Sequence, residues 1–505
     1  MSIHDAALRI GRGLLPVALV ASLYLYLYPL FHRCYFPRPH HVDTTAPSGL
    51  QLAPFRLLAL GDPQIEGDSS LPDPDAPVFP SLLDFGPRAR EFGLAAAART
   101  AATALVRDDV PRLLNGYRKR IDLFGNDYYL AHIYRTLYWW SDPTHAAVLG
   151  DLLGSQWIAD DEFERRSDRF WHRVFRHGHR VDDNITATPR AEDLGADAAW
   201  KRRIINIAGN HDIGYAGDIN EDRIRRFERQ FGPVNWDITF RLPAANVTAS
   251  QSVDDSRPEL RLLILNSMNL DTPAADQHLQ TQTYDFINDA IGRSRPVEDR
   301  STFTVLLTHI PLHKEAGVCV DAPFFDFFND DEGGGVKEQN HLSDSASGGI
   351  LQGIFGMSGD AGAPARGIGR NGLIINGHDH EGCDVYHHRP RDGDSWMAAP
   401  WEHSAALTQD HDLPGIRELT LRSMMGEYGG YAGLVSVWFD EGTGEWRSDV
   451  TMCSAGVQHI WWAVHILDLI TVGFLVGALC LRIMPKPRAK FVTEGTVSKG
   501  TTKHD

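Results

Sequence analysis

The sequence has few cysteines and no excess of basic residues. Its 505 residues include five cysteines, too few for a scaffold built on disulfides. Asp and Glu outnumber Lys and Arg by 66 to 49, which gives a formal net charge of −17. Nucleic-acid binding needs a basic face, so we predict no nucleic-acid partner. No internal repeat is visible, and the one stretch of biased composition, 329–363, is predicted to be a surface loop.

The remaining composition is that of a globular protein. Hydrophobic residues make up 43% of the chain and aromatic residues 10%, so the chain can bury a core and global disorder is excluded. The length allows one large domain or two ordinary ones.

Two long apolar stretches lie near the ends of the chain. Residues 13–31 contain no charged side chain, and residues 459–480 begin with His459 and are interrupted only by His465 and Asp468. Each approaches the ~20 residues needed to cross a bilayer. A cleaved signal peptide is the alternative for the first stretch, although no small-residue cleavage site follows it. A buried core helix is the alternative for the second, whose Trp461 and Trp462 suit an interfacial belt.

Charges beside the second stretch predict the orientation. Four basic residues follow it directly, whereas Arg447 alone lies close before it, so the tail is expected in the cytosol. Two spans then place both termini in the cytosol and the body in a lumen. The predicted segments are a cytosolic N-terminus (1–12), a transmembrane signal anchor (13–31), a lumenal body (39–458), a transmembrane helix (459–480) and a basic cytosolic tail (481–505).

Sequons and cysteines fit a lumenal body. Asn184 and Asn246 begin Asn-X-Thr tripeptides, which are glycosylation acceptors in secreted domains. Cys34 and Cys480 lie at or within the predicted spans. This leaves three cysteines for at most one lumenal disulfide, the pair undetermined: Cys319, Cys383 and Cys453.

Short apolar runs recur along the body, and each ends in polar residues. This repeated pattern predicts an α/β fold with the functional residues at the ends of the strands. The runs lead, in chain order, into GDPQ around Asp62, GDLLG around Asp151, GNHD around Asn210, THIP around His309 and GHDH around His378.

Taken singly, each of these motifs has an ordinary explanation. A Gly-Asp after a strand is more often a turn than a ligand, and a lone His309 is more often a satisfied core histidine. The full ordered set is different, because oxygen donors and imidazoles at separate strand ends are what a site for two divalent cations requires.

The ordered motifs resemble the calcineurin-like metallophosphoesterase family from Phe55 to Asp384. The resemblance implies an α/β fold, a four-layer αββα sandwich with two mixed β-sheets, here with one transmembrane helix at each end. It also implies a metal-dependent phosphodiester hydrolase with two divalent cations. The implied roles are Asp62 and His380 on the first metal, Asp151 bridging, Asn210, His309 and His378 on the second, His211 as general acid and Asp212 orienting His211.

One position departs from the family pattern. The family has Asp-x-His at the first motif, whereas this chain has Asp62-Pro63-Gln64. An amide oxygen is a harder ligand than imidazole, so Gln64 tilts the expectation towards Mn²⁺, with Mg²⁺ or Zn²⁺ as alternatives. Whether Gln64 would ligate directly or through water stays open.

Three features indicate one branch of this family. They are the variant first motif, the segment GDLLGSQW from Gly150, and the two predicted spans. They are similar to the endoplasmic-reticulum branch of GPI-glycan ethanolamine-phosphate phosphodiesterases, in particular the fungal members that act with p24 cargo receptors. This implies removal of ethanolamine phosphate from a mannose of a GPI anchor, with GPI-anchored proteins or GPI glycolipid as substrate, and a role in transport from the endoplasmic reticulum.

Three alternatives remain at this point. The same chemistry could act on a nucleotide or a lipid head group. A weakly catalytic trafficking adaptor is a second reading, against which the intact His211 argues, because a binding module needs no general acid. An ion-handling protein, suggested by Asp468, is the third. Three aromatic residues near the motifs are candidates for sugar stacking, with core packing as the alternative: Trp157, Tyr215 and Trp401.

Overall fold

The computed structural model describes residues 2–39, 52–67, 71–73, 76–243, 257–390, 393, 395–410 and 412–483. The predicted sequon at Asn246 and the tail after residue 483 lie outside the described residues. The chain forms two compact units, one of Met1–Leu25 with Trp462–Asp505 and one of Tyr26–Trp461.

The elements alternate between strands and helices over the body. The strands are β1 Phe55–Leu60, β2 His145–Val148, β3 His179–Arg180, β4 Arg190–Asp193, β5 Arg203–Asn206, β6 Trp236–Arg241, β7 Glu259–Ile264, β8 Thr302–Leu307, β9 Phe325–Phe327, β10 Val336–Gln339, β11 Gly372–Asn376, β12 Cys383–His388, β13 Met397–Pro400, β14 Gly415–Thr420, β15 Tyr431–Asp440 and β16 Glu445–Ser454. The helices are α1 Ile3–Phe31, α2 Pro80–Leu83, α3 Phe85–Phe92, α4 Leu94–Ala104, α5 Val110–Ser141, α6 Asp160–Arg169, α7 Asp183–Thr186, α8 Asn210–Ile213, α9 Glu221–Phe231, α10 Gln277–Gly292, α11 Asp344–Gly353, α12 Ala405–Gln409 and α13 Gln458–Ile483.

Two large mixed sheets organise the body. The first has the strand order β16-β15-β1-β2-β5-β3, and the second has β13-β12-β14-β11-β8-β7-β6-β4. In the first sheet β1 pairs parallel with β2 and antiparallel with β15. In the second sheet β8 runs parallel to both β7 and β11, whereas β6 is antiparallel to β7.

The two sheets pack face to face. Leu57 and Ala59 of β1 share one buried cluster with Leu262 of β7 and Val305 of β8, because alternate residues of a strand point to the same face. Leu58, on the other face of β1, is also fully buried, so that face is covered as well. This two-sheet arrangement with helices outside confirms the predicted fold class.

Several element boundaries differ from the sequence-based expectation. The predicted loop over 329–363 contains β10 and α11. Helix α11 begins after Ser343, because the Ser343 side chain caps it by accepting a hydrogen bond from Ala346 N. The resemblance ended at Asp384, yet β14, β15 and β16 lie beyond it and complete both sheets.

Two disulfides link distant parts of the body. Cys34 is bonded to Cys453 and Cys319 to Cys383, while Cys480 is free. The expectation of at most one disulfide is therefore wrong. Cys34 was assigned to the membrane boundary, but it lies beyond the end of α1 and reaches β16 in the body.

The terminal helices are long and apolar enough to cross a membrane. Helix α1 has 29 residues and α13 has 26, which at 1.5 Å per residue gives about 44 and 39 Å. Ser22 of α1 donates a hydrogen bond of 2.9 Å to the Asp468 carboxylate of α13, so this polar group is satisfied. The two helices fit a two-pass membrane protein, and the exact limits of the spans remain a prediction.

Candidate metal centre

Five predicted site residues follow the ends of strands. Asp62 comes after β1, Asp151 after β2 and Asn210 after β5, three parallel neighbours in the first sheet. His309 follows β8 and His378 follows β11, parallel neighbours in the second sheet. Because the C-terminal ends of parallel strands lie at one edge, each sheet presents its polar residues together.

The site residues form two adjoining groups. Ligand atoms of Asp151, His309 and His378 all lie within 4.8 Å of one another. Those of Asp62, Asp151 and His380 are equally close. Asp151 belongs to both groups, as a carboxylate shared by two cations does. These are the residues that the resemblance assigned to the second and first metals.

The two histidines of the first group have defined tautomers. Nδ1 of His309 lies 2.6 Å from the carbonyl oxygen of Leu149, and Nε2 of His378 lies 2.8 Å from that of Gln339. Each of these nitrogens must donate its proton to the carbonyl. Burial lowers the pKa of His309 and lowers that of His378 to about 3, so both rings are neutral at pH 7 and their other nitrogens carry lone pairs.

The free lone pairs converge on Asn210. Its Oδ1 lies 3.1 Å from Nε2 of His309 and 3.0 Å from Nδ1 of His378. Acceptor atoms therefore face one another without a proton between them. Oδ2 of Asp62 is also buried without a hydrogen-bond partner among the described residues. Unsatisfied acceptors of this kind are costly unless a cation binds them, so the residues present fit two divalent cations.

The carboxylates of the centre oppose one another electrostatically. Burial, together with the nearby Asp151, raises the pKa of Asp62 well above its usual range. Burial opposes ionisation of Asp151 as well, but the surrounding histidines hold its pKa at about 2. Oxygen atoms of these two buried carboxylates lie within 4.8 Å of each other, and such a pair favours a divalent cation over protons at neutral pH.

Gln64 lies at the side of the second group. Its Nε2 is 3.1 Å from Oδ2 of Asp151 and 3.1 Å from Nε2 of His380. The oxygen and nitrogen of a carboxamide exchange places by a half-turn of the side chain, and the amide oxygen then faces these two residues. Direct ligation by Gln64 remains a prediction.

His211 occupies the open side of the centre. Its side chain is 37% exposed, and Nε2 lies 3.8 Å from Oδ2 of Asp151. The backbone N–H of His211 donates to the other oxygen of Asp151 at 2.9 Å. The ring therefore lies beside the Asp151 carboxylate and is partly exposed to solvent.

Asp212 makes different contacts from those predicted for it. It was expected to orient His211, but both of its oxygens accept backbone hydrogen bonds at 2.9 to 3.1 Å from Gly209, Leu152 and Leu153. The carboxyl group thus ties the turn after β5 to the turn after β2. Its position supports the backbone that carries Asp151 and Asn210.

The backbone at the centre is strained. Non-glycine residues rarely adopt positive φ, and such residues cluster at functional sites. Four positions here do so: Asp62 (50°), Gln64 (40°), Asp151 (49°) and His378 (75°). Gly150 cannot carry a side chain, because a Cβ there would lie 2.1 Å from Nδ1 of His309.

A buried charge network behind the centre was not recognised in the sequence. The fully buried Glu418 of β14 lies 2.8 Å from Lys314 Nζ and 2.7 Å from His387 Nε2. Its other oxygen accepts from Leu312 N at 2.7 Å and Asn376 Nδ2 at 2.6 Å. Burial opposes its ionisation, but Lys314 and His387 hold the pKa of Glu418 well below its usual range. The network fixes the two turns that carry the ligand histidines of the second sheet.

The candidate aromatic residues differ in exposure. Tyr215 is 6% exposed and packs in the core. Trp401 lies under the guanidinium of Arg417 at 4.1 Å. Trp157, in the loop after Asp151, remains 63% exposed. The guanidinium of Arg223 lies 4.5 Å from the centre of the Trp157 ring, so Trp157 is the most exposed of the three candidates and already has a cationic partner on one face.

A cavity lies beside the centre. It has a volume of about 130 Å³, and Pro63 and Gln64 are among the residues that line it. Polar side chains from several elements line it, among them Glu66, Asp127 and Glu427. Arg169 also lines it, and Asp127 pairs with Arg169 at 2.8 Å while Glu66 pairs with Lys119 at 2.7 Å, so the recess beside the candidate metal ligands is polar and of mixed charge.

Comparisons with known proteins agree with this geometry. No family model matches the chain. The chain is 30% identical over 403 residues to Protein TED1 of Saccharomyces cerevisiae, covering 70% of this chain and 77% of that protein. It is 23% identical over 280 residues to Metallophosphoesterase 1 of Rattus norvegicus, covering 53% and 57%.

Among solved structures, a dimetal phosphatase from Danio rerio covers 80% of this chain and 98% of its own at 9% identity and a TM-score of 0.31. The assignment depends on the sequence relationship and on the two ligand groups at the strand ends. The chain belongs to the TED1 family of calcineurin-like metallophosphoesterases and is a metal-dependent phosphoesterase.

Proposed function

We propose that the chain is a two-pass protein of the endoplasmic reticulum membrane that hydrolyses an ethanolamine-phosphate branch from a mannose of GPI anchors. This remodelling would serve the exit of GPI-anchored proteins from the endoplasmic reticulum. The observation that carries the chemistry is the convergence of two ligand groups on Asp151, with the exposed edge of His211 beside them.

In the proposed reaction a water molecule attacks phosphorus in line and the bond from phosphorus to the mannose oxygen breaks. Two divalent cations would supply positive charge to the phosphate and activate water. His211, whose side chain is 37% exposed and whose Nε2 lies 3.8 Å from Oδ2 of Asp151, donates a proton to the departing mannose oxygen, a contribution of about 10²- to 10⁴-fold. Asp212 keeps the turn of His211 in place through its backbone contacts.

Mn²⁺ is the proposed cation. The group around Asp62 contains two carboxylates and one imidazole, and Gln64 offers an amide where the family pattern has imidazole. Hard oxygen ligands favour Mn²⁺ or Mg²⁺, whereas softer ligands favour Zn²⁺.

The substrate class is supported by three features. The relatives include Protein TED1, whose branch of the family the sequence resembles. Two terminal helices long enough for a membrane would keep the site near a lipid-anchored substrate. The polar cavity beside Gln64 is lined by the carboxylate of Glu427, which suits the ammonium group of ethanolamine. The oxidised cysteine pairs support a lumenal body, and p24 cargo receptors are the proposed partners.

The test is mass spectrometry of GPI glycans incubated with the purified full-length protein, with and without Mn²⁺. We expect loss of one ethanolamine phosphate in the presence of Mn²⁺ and no loss after chelation. His211→Ala should lower the rate by about 10²-fold or more. His172→Ala, at a side chain that is 77% exposed on the surface, is the matched control and should retain full activity.

Two results would contradict the proposal. If no metal supports loss of ethanolamine phosphate while a nucleotide or lipid head group is hydrolysed, the substrate is another phosphoester. If His211→Ala restores transport of GPI-anchored proteins in cells lacking the protein as well as the wild type does, the chain acts as an adaptor.

A further inference from the structure

A second polar pocket lies on the outer face of the second sheet. It has a volume of about 240 Å³ and is formed by strands β4, β6, β7 and β8 and by the segment after α10. Thr302 and Thr304 at the start of β8 line it, whereas His309 follows the other end of that strand. His309 is seven residues beyond Thr302 and five beyond Thr304, which in extended chain is about 16 to 23 Å, so the pocket is separate from the metal centre.

The pocket is basic within an acidic protein. Six arginines and two carboxylates line it, and two further carboxylates pair with lining arginines, Glu192 with Arg190 at 2.8 Å and Asp299 with Arg295 at 3.1 Å. Six positive and four negative charges leave an excess of two positive charges, although the chain carries a net charge of −17. The six arginines are Arg190, Arg241, Arg261, Arg293, Arg295 and Arg370.

The two carboxylates hold four of the arginines in place. Arg261 and Arg293 both contact Asp237, at 2.6 and 2.9 Å. Arg241 and Arg295 both contact Glu259, at 2.9 and 3.1 Å. Each carboxylate therefore serves two guanidinium groups, which fixes the positions of these groups without neutralising them.

Arg370 adds a buried charge that lacks such a partner. It is 7% exposed, and its Nε has no hydrogen-bond partner among the described residues. Burial lowers the pKa of Arg370, Arg261 lowers it further, and Asp299 partly opposes this shift. A buried guanidinium normally bonds to an anion, so the missing partner points to a ligand.

We propose that this pocket binds a phosphate group, carried by a soluble phosphate compound or by a lipid head group. Guanidinium forks match the oxygens of phosphate and form paired charge-assisted hydrogen bonds with it. Fixed arginines also lose little side-chain entropy on binding. The site is separate from the metal centre, and it takes anions without hydrolysing them.

The test uses the full-length protein in detergent, stripped of metal so that phosphate cannot bind at the metal centre. Titration with inorganic phosphate at constant ionic strength should give a dissociation constant of about 1 mM or tighter. Arg370→Gln and Arg241→Gln should each weaken binding about tenfold. Arg417→Gln, which removes an arginine of the same sheet paired with Asp384, is the control and should bind phosphate like the wild type.

A second arm separates the two sources of phosphate. Binding is compared between detergent micelles that contain phosphatidic acid and micelles that contain phosphatidylcholine. Binding of inorganic phosphate without a preference for phosphatidic acid indicates a soluble ligand, and binding to phosphatidic acid alone indicates a lipid head group. No binding in either arm, or equal binding by both pocket variants and the wild type, overturns the proposal.

Hydrolytic activity provides a further check on the variants. With Mn²⁺ restored, Arg241→Gln should hydrolyse a small phosphodiester at the wild-type rate, because its side chain lies far from the metal ligands. Arg241 is 26% exposed, so this variant keeps the test valid if substitution of the buried Arg370 prevents folding.

Discussion

His145 is a buried histidine outside the metal centre. Its ring is 3% exposed, and Nδ1 lies 2.9 Å from Oγ1 of Thr144, whereas Nε2 has no partner among the described residues. Burial, reinforced by Arg56, lowers the pKa of His145 to about 3. Three aromatic rings surround it. Their centroids lie 4.5 to 5.2 Å from the centroid of the His145 ring, and they belong to Phe55, Trp200 and Phe240.

This histidine should make folding sensitive to acid. The unfolded chain binds a proton at His145 below about pH 6.5, whereas the folded chain does so only near pH 3. The unfolded state therefore binds more protons in this window, and stability falls as pH falls from 6.5 towards 3. At pH 5 the loss from this residue is about 2 kcal/mol.

We predict that His145→Phe removes this part of the acid destabilisation. The measurement is the unfolding temperature of metal-stripped protein in detergent at pH 7 and at pH 5. The decrease between the two pH values should be smaller for the variant than for the wild type. An equal decrease in both proteins would show that His145 is already protonated in the folded state.

At the scale of elements, Glu418 joins strands that are separate in sequence. Its carboxylate on β14 contacts the turn after β8 through Leu312 N and the end of β11 through Asn376. Lys314 Nζ, which is 1% exposed, lies 2.8 Å away. Removing one partner of a buried pair leaves the other charge uncompensated and costs about 3–5 kcal/mol.

We predict that Glu418→Leu lowers stability by about this amount and weakens metal binding by about 10- to 100-fold, because the turns of the ligand histidines lose their support. Thermal unfolding and metal titration measure the two effects. The double variant Glu418→Leu with Lys314→Met should recover part of the stability.

A surface pair on β16 is the control for this prediction. Glu445 lies 3.7 Å from Arg447, with partly exposed side chains, so Glu445→Gln should change stability by less than about 1 kcal/mol. If Glu418→Leu is no more harmful than this control, the network does not support the centre.

The strands that carry the site could be predicted because they are locally defined. FRLLAL before Asp62 is an apolar run whose six residues are all buried, and the runs before Asp151 and His309 are of the same kind. Strands β14 to β16 were not predicted because pairing with distant parts of the chain stabilises them. For example, β15 pairs with β1, nearly four hundred residues earlier. The alternation in β14, GIRELT, resembles a half-exposed strand.

The chemistry of the site was predictable to the level of residue type, but its supports were not. Asp212 follows His211 directly, which suggested a contact between their side chains. The carboxyl group instead reaches backbone groups of another turn. The buried position of Glu418 could not be predicted from the sequence, because its contacts Lys314 and His387 lie far from it along the chain.

At the scale of the whole molecule, the cysteines predict the redox state of the protein. Four of the five are paired, and Cys480 is free. We expect one alkylated cysteine in the denatured, unreduced protein and five after reduction, counted by mass spectrometry. Disulfides persist in an oxidising compartment, so this result would agree with a lumenal body.

Cys480→Ser is the control for the thiol count. It should show no alkylation before reduction and four alkylated cysteines afterwards. Three or more reactive thiols in the unreduced wild-type protein would mean that at least one disulfide is absent in the native molecule, and the body would then be assigned to a reducing compartment.

The pairing of β1 with β15 has a consequence for biosynthesis. A nascent chain of 400 residues already contains every predicted metal ligand, from Asp62 to His380. It still lacks the neighbour that pairs with β1 from Phe55↔Val437 onwards. The first sheet can therefore be completed only after the ribosome has nearly finished the body, and a messenger truncated at residue 400 would encode all the predicted ligands without β15 and β16 of the sheet that carries Asp62.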